Sequence, residues 1–249
     1  MRVRILKFAL SFALWCAVSI PVPVHAQLVT NGGFEITTNG PGELGYNTNA
    51  ASWSTTGYNF LFSPGSADTT GVTGEYGNFQ LWGPGNGSSN GLPPTSPAAG
   101  NFIAADGNLD SLPVTQTISG LNIGDSYQVG FYWAAGQQGG YFTGATTEQW
   151  IVSLGAETQY SPVASIPSEG FSGWLSQSFV YVATAGSEQL SFLAHGTPSG
   201  DPPFALLDGV TMSDLSHPNV PEPGSVASMT ICGICLGYSL RRRHSRLCK

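Results

Sequence analysis

Between Gln27 and Asn219 the chain has no lysine, no arginine and no cysteine. The eight cationic residues lie at the two ends: Arg2, Arg4 and Lys7, then Arg241, Arg242, Arg243, Arg246 and Lys249. Fourteen of the 15 Asp and Glu residues fall in the middle stretch, which therefore carries a formal −14 against −7 for the whole chain. A surface that grips phosphate needs Lys or Arg, so nucleic acid is excluded as a partner of this region, and so is an anionic lipid surface. Without cysteine the region has neither a disulfide nor a thiol nucleophile; Cys16, Cys232, Cys235 and Cys248 all sit in the end segments. The Cys232/Cys235 pair lies inside an apolar run with no second pair, unlike a zinc site. Carboxylates without fixed cations point to water, divalent metal ions or neutral ligands.

Also missing is any sustained 3.6-residue hydrophobic period. Period-2 alternation takes its place. Tyr127, Val129, Phe131 and Trp133 fall on one face, as do Trp150, Val152 and Leu154. Leu190, Phe192 and Ala194 alternate with Ser191, Leu193 and His195. Ser176–Thr184 reads as a strand, and Ala205–Met212 as a last one with Leu206, Asp208, Val210 and Met212 on one face. Turn signals separate these runs, among them 122–125, Gly139-Gly140 and Pro202-Pro203. The pattern predicts an all-β, two-sheet sandwich. Residues 59–100, dense in Gly, Pro, Ser and Asn, read as long loops on its rim, with Phe102–Ala105 restarting the ladder.

Catalytic motifs are absent as well. No His-Glu-x-x-His occurs, and the Gly-x-Ser-x-Gly match at Gly87-Ser88-Ser89-Asn90-Gly91 lies in a glycine-rich stretch rather than at the strand-to-helix turn of a nucleophile elbow. Only His195 and His217 lie in the middle stretch. Asp106 and Asp110, four apart, do not by themselves make the carboxylate pair of a glycosidase. A non-enzymatic protein is expected, with a secreted hydrolase of unrecognised site as the rival.

The ends are informative. A cationic start, an apolar stretch to Ile20 and Val24-His25-Ala26 make residues 1–26 a signal peptide cleaved after Ala26, the alternative being a retained anchor. The ectodomain then spans 27–214, a linker 215–219, and a tail 220–249. In the tail, Pro221, Glu222 and Pro223 precede an uncharged run at 224–240 and a basic end at 241–249. Seventeen uncharged residues give a helix of about 25 Å, enough for one transmembrane helix in a thin bilayer. Arg241, Arg242 and Arg243 would hold the basic end in the cytoplasm, leaving the ectodomain outside.

This ending resembles the PEP-CTERM sorting tail of Gram-negative bacteria. The resemblance implies recognition by an exosortase-type enzyme, cleavage near Pro221-Glu222-Pro223, an inner-membrane stage in transit, and delivery to the cell surface or extracellular matrix, with exopolysaccharide or biofilm association. A plain C-terminal anchor is the alternative. A second resemblance rests on Asn31-Gly32-Gly33-Phe34-Glu35, Trp53, the 114–131 segment and 205–210. Together they are similar to the galactose-binding-like jelly roll of many carbohydrate-binding modules. That likeness implies a structural Ca2+ between Glu35 and Asp208, with Gly32 and Gly33 letting backbone oxygens approach; otherwise the two carboxylates only bond turn amides. A neutral polysaccharide would be the ligand, and the aromatics outside clear strand faces, Tyr58, Tyr76, Trp82 and Tyr141, are the candidates to hold it. Trp53, Trp133, Trp150 and Trp174 read as core.

Overall fold

The computed structural model describes residues 27–217. Ala26, Pro221, Glu222, Pro223, Arg241, Arg242 and Arg243 lie outside the described residues, as do the signal segment and the apolar tail. Among the described residues no helix is long and apolar enough to cross a membrane.

Short strands follow one another between glycine-rich turns. The first four are β1 (Gly42–Glu43), β2 (Asn59–Phe62), β3 (Val72–Gly74) and β4 (Gly77–Phe79). Next come β5 (Phe102–Asp106), β6 (Val114–Ser119), β7 (Ser126–Gln137) and β8 (Thr146–Leu154). The last are β9 (Glu157–Tyr160), β10 (Ala164–Ile166), β11 (Leu175–Val182), β12 (Ser187–Thr197) and β13 (Pro203–Asp214). One antiparallel sheet runs β1-β2-β5-β13-β7-β11; the other runs β10-β8-β12-β6, with β9 also on β8. From β5 on the chain passes repeatedly from one sheet to the other, the strand path of a jelly roll.

Alternation decides what lies between the sheets. Tyr127, Val129, Phe131 and Trp133 of β7 point inward against Trp150, Val152 and Leu154 of β8 and Leu190, Phe192 and Ala194 of β12. Polar tips on these aromatics find partners across the sandwich. Trp150 Nε1 donates to the Leu206 carbonyl at 3.0 Å, and the Tyr181 hydroxyl donates to the Val152 carbonyl at 2.9 Å. Each such bond lets a large apolar group enter the core without an orphaned donor.

Two expectations are corrected. Residues 59–100 are not merely rim loops. Strand β2 belongs to the six-stranded sheet, and the chain after it folds back over that sheet's outer face, carrying the β3–β4 hairpin. Phe60, Phe62, Phe102, Ala104, Phe204 and Leu206 point outward there and meet Val72, Phe79 and Leu81 in a second apolar cluster. Phe79 stacks on Phe60 at 4.1 Å between ring centroids and lies 4.5 Å from Phe204. Strands apolar on both faces need cover on both faces, which a glycine-rich segment with a few aromatics supplies. Trp174 is only partly buried and packs against this cluster rather than inside the sandwich.

The second correction concerns β13. Its register with β7 shifts between Asp208 and Thr211, at Gly209 with φ +60. An extra residue in one strand reverses the phase of its side chains. Leu207, Val210 and Met212 therefore face the sandwich core, while Leu206 belongs to the outer cluster. The shared face of Leu206, Asp208, Val210 and Met212 does not exist.

The first described residues run along the end of β13. Leu28 N donates to the Met212 carbonyl at 3.2 Å, and Val210 N to the Gly32 carbonyl at 2.9 Å. A methyl group on Gly32 would strike the Val210 carbonyl oxygen, so this close crossing is what requires glycine there.

Candidate functional site

Loops at one end of the six-stranded sheet enclose a cleft of about 340 Å³. Tyr58 enters just before β2, Tyr76 sits at the tip of the β3–β4 hairpin, and Asp106 ends β5. Gln138 follows β7, Phe142 lies in the β7–β8 connection, and Pro202 precedes β13. The two tyrosine rings lie 5.5 Å apart, inclined at 46°. Tyr58 is itself buried and is braced edge-on by Phe60 at 4.5 Å. Tyr76 is 65% exposed and offers its ring to solvent.

Asp106 supplies the polar counterpart. Its Oδ1 accepts the backbone N–H groups of Asn108 at 2.7 Å and Leu109 at 2.8 Å. Its Oδ2 is buried and has no hydrogen-bond partner among the protein groups. Burial pushes this carboxyl up to about 6, against the pull of those two N–H groups and with a small further push from Asp110. Burial, then the Glu43 and Asp106 carboxylates, push the Tyr58 hydroxyl up to about 12, so it keeps its proton. Aromatic rings and the residues Asp106, Asn108 and Gln138 thus line one space. Hydroxyl-rich rings are bound by such a combination, through stacking and paired hydrogen bonds.

Of the four aromatics singled out from sequence, the fold brings Tyr58 and Tyr76 together. Trp82 lies outside the cleft lining, and its Nε1 donates to the Phe142 carbonyl at 2.8 Å. It therefore steadies a lining residue from behind. Tyr141 is fully exposed and is not in the lining. Sequence reasoning missed Asp106, Gln138 and Phe142 as parts of one site. For Asp106 a faint signal existed, a carboxylate ending the apolar run from Phe102; for the others none did. No histidine lines the cleft, and Asp106 is its one carboxylate, whereas glycoside hydrolysis by acid and base needs two. A larger groove of about 500 Å³ is lined by hydroxyls and amides such as Thr30, Ser52, Thr115, Thr117 and Gln189, with no aromatic ring.

The Glu35 and Asp208 pair lies elsewhere, where the first segment meets the bulge of β13. Asp208 is fully buried; its Oδ2 accepts from the Ser96 hydroxyl and its Oδ1 from Gly209 N at 2.6 Å. Glu35 Oε1 accepts from Asn101 N at 2.7 Å. A methyl on Gly33 would sit 3.8 Å from Asp208 Oδ1 and 3.9 Å from Glu35 Oε1, so both carboxylates border the same space. Burial, and to a lesser degree the Glu35 charge, push Asp208 up to about 7 despite the Ser96 and Gly209 bonds. Two carboxylates beside one space, with no Lys or Arg anywhere in 27–217, are hard oxygen donors of the type Ca2+ takes, although Asp208 Oδ1, Asp208 Oδ2 and Glu35 Oε1 already accept hydrogen bonds. The expected part played by Gly32 differs: its close approach is to β13.

No protein-family model matches the chain, and no curated protein matches it in sequence. Its structural neighbours include carbohydrate-binding modules. The TmCBM61 module, solved in complex with β-1,4-galactotriose, is 14% identical with a TM-score of 0.38, over 76% of this chain and 99% of that one. A xylan-binding CBM22 domain from Paenibacillus barcinonensis is 10% identical with a TM-score of 0.38, over 78% and 98%. The K2 cleaved adhesin domain of Lys-gingipain is 12% identical with a TM-score of 0.34, over 73% and 96%. The ligands of those proteins are properties of those proteins.

Proposed function

We propose that this chain is an exported, non-enzymatic binding protein whose Tyr58–Tyr76 cleft holds a neutral sugar of a surface or matrix polysaccharide. The observation that carries this reading is a cleft lined by Tyr58, the exposed ring of Tyr76 and Asp106 in a domain without a fixed cation. A sugar ring would cover the exposed face of Tyr76. Anionic ligands would meet only repulsion.

The sequence ends supply the setting. Export with cleavage after Ala26, recognition of Pro221-Glu222-Pro223 by an exosortase-type enzyme, passage through the inner membrane and final placement at the cell surface or in the matrix form one consistent route. Mass spectrometry of the mature protein from its own cells tests it by fixing both termini.

Glycan-array binding tests the cleft. Tyr76→Ala is expected to weaken binding of the retained glycan by about thirtyfold, equivalent to about 2 kcal/mol for one lost stacking face. Tyr141→Ala should leave affinity within about twofold, since its ring lies outside the lining. Equal affinities for wild type and Tyr76→Ala would remove this site from consideration.

The reading includes a structural Ca2+ held by Glu35 and Asp208. When bound, the ion would supply positive charge between two carboxylates and so join the first segment to the last strand. EGTA should lower the melting temperature by about 5–10 °C, since a ligand at a hundred times its Kd adds about 2.7 kcal/mol. Asp208→Asn should abolish the response. A melting curve indifferent to EGTA argues that the carboxylates serve only their turn amides.

A further inference from the structure

At the opposite chain terminus of the domain, three side chains from two distant segments meet. Asp125 closes the turn before β7, Asp214 ends β13, and His217 follows three residues later. His217 Nδ1 lies 2.9 Å from Asp125 Oδ2 and 3.5 Å from Asp214 Oδ2. The backbone that brings them together is held independently. Leu215 N donates to the Ser126 carbonyl at 2.8 Å, and Ser126 N donates to the Ser216 hydroxyl at 2.9 Å. Asp214 Oδ1 accepts the N–H groups of Ser216 at 2.7 Å and His217 at 3.0 Å, which leaves Oδ2 turned towards the imidazole.

Two observations go beyond a cluster of polar groups. First, Asp125 Oδ2 is a buried atom that accepts no hydrogen bond, although a ring nitrogen is 2.9 Å away. That ring nitrogen faces two carboxylate oxygens, Asp125 Oδ2 and Asp214 Oδ2. Second, the two N···O separations of 2.9 and 3.5 Å bracket the edge of a tetrahedron with metal–ligand bonds of about 2.0–2.1 Å, which is about 3.4 Å.

We infer that Asp125, Asp214 and His217 form a site for a borderline divalent metal ion of the Zn2+ class, with a fourth position open to water on the exposed side. Imidazole nitrogen favours such ions over Ca2+ and Mg2+, which prefer oxygen alone. The ion would cancel the charge of two carboxylates in a domain with no Lys or Arg to do so. It would also fix His217, four residues before Pro221 in sequence, to the turn preceding β7. The site is separate from the cleft and from the Glu35/Asp208 pair, and stands or falls independently of both.

The test uses the full chain without a histidine tag and with all four cysteines changed to serine, so that thiols do not compete for metal. Zn2+ is titrated calorimetrically into this protein and into the same protein carrying His217→Ala. His217 is largely exposed, so its loss leaves the core untouched, and circular dichroism verifies folding. The expected result is one fewer equivalent of Zn2+ bound by the His217→Ala protein, and a rise in melting temperature on adding Zn2+ that this variant lacks. Unchanged Zn2+ stoichiometry overturns the inference. So does a His217→Ala protein that differs only by melting earlier below about pH 6, which would identify a protonated ion pair instead.

Discussion

Trp150→Ala is expected to cost about 3–5 kcal/mol of stability, out of the 5–15 kcal/mol typical of a domain. At about 2–4 °C per kcal/mol for a domain of this size, the melting temperature would fall by about 6–20 °C. Trp150 is fully buried at the middle of β8, edge-on to Phe192 at 5.9 Å between ring centroids. Its indole spans the sandwich, because Nε1 donates to the Leu206 carbonyl of the opposite sheet at 3.0 Å. Alanine would leave a void between the sheets and remove the bond that crosses it. Trp150→Phe separates the two effects: it keeps most of the ring and loses the bond, for which about 1–3 kcal/mol is expected. Urea unfolding of the three proteins, with midpoints compared at constant slope, measures both costs. If Trp150→Ala unfolded at the wild-type midpoint, the sandwich core would not be where the structure puts it.

Stability should also fall as pH rises from about 4.5 to 8, an unusual direction for a carboxylate-rich protein. Glu148 projects from β8 into the interior and is 1% exposed. Thr146 donates to its Oε1, but Oε2 is buried and has no partner. Burial pushes the carboxyl up to about 8, outweighing the Thr146 bond. Between the ordinary value of 4.5 and about 8, the folded chain keeps this proton while the unfolded chain has released it. Unfolding therefore releases a proton, and each rise of one pH unit removes up to about 1.4 kcal/mol per group. Asp106 contributes in the same sense between 3.8 and about 6. The stabilising contribution is complete below the unfolded values and is lost as pH passes through the folded ones. Urea midpoints from pH 5 to 8 should decline, and Glu148→Gln, which has no charge to bury, should flatten the slope between pH 6 and 8. A wild-type midpoint that rises over this range, or a Glu148→Gln slope equal to wild type, would show that Glu148 is ionised in the folded state.

These two results depend on features of different legibility. The inward placing of Trp133, Trp150 and Phe192 follows from alternation alone, because in a strand the side-chain period is fixed at two. The same rule misled at β13, where Gly209 lets in a bulge and the phase reverses. It also left residues 59–100 unexplained. The clue there was that Phe60–Phe62, Phe102–Ala105 and Phe204–Leu207 are apolar at every position, so both faces of those strands had to be covered. Alternation also puts Glu148 on the inward face with Trp150, Val152 and Leu154, but that its Oε2 is left there without a partner only the packing decides.

The candidate cleft divides in the same way. Tyr58 and Tyr76 stood out as aromatics beyond the regular strand faces. Nothing in the order of residues joined them to Asp106, Gln138 and Phe142, which come from other connections. By itself the sequence determined the class of fold, and the lack of any Lys, Arg or Cys in residues 27–217, because composition and a period of two are local properties. Only the tertiary structure decided which loops meet, which carboxylates lose their water and which oxygens are left without a donor. Those outcomes depend on contacts between residues tens to more than a hundred positions apart, and burial is a property of the packed whole.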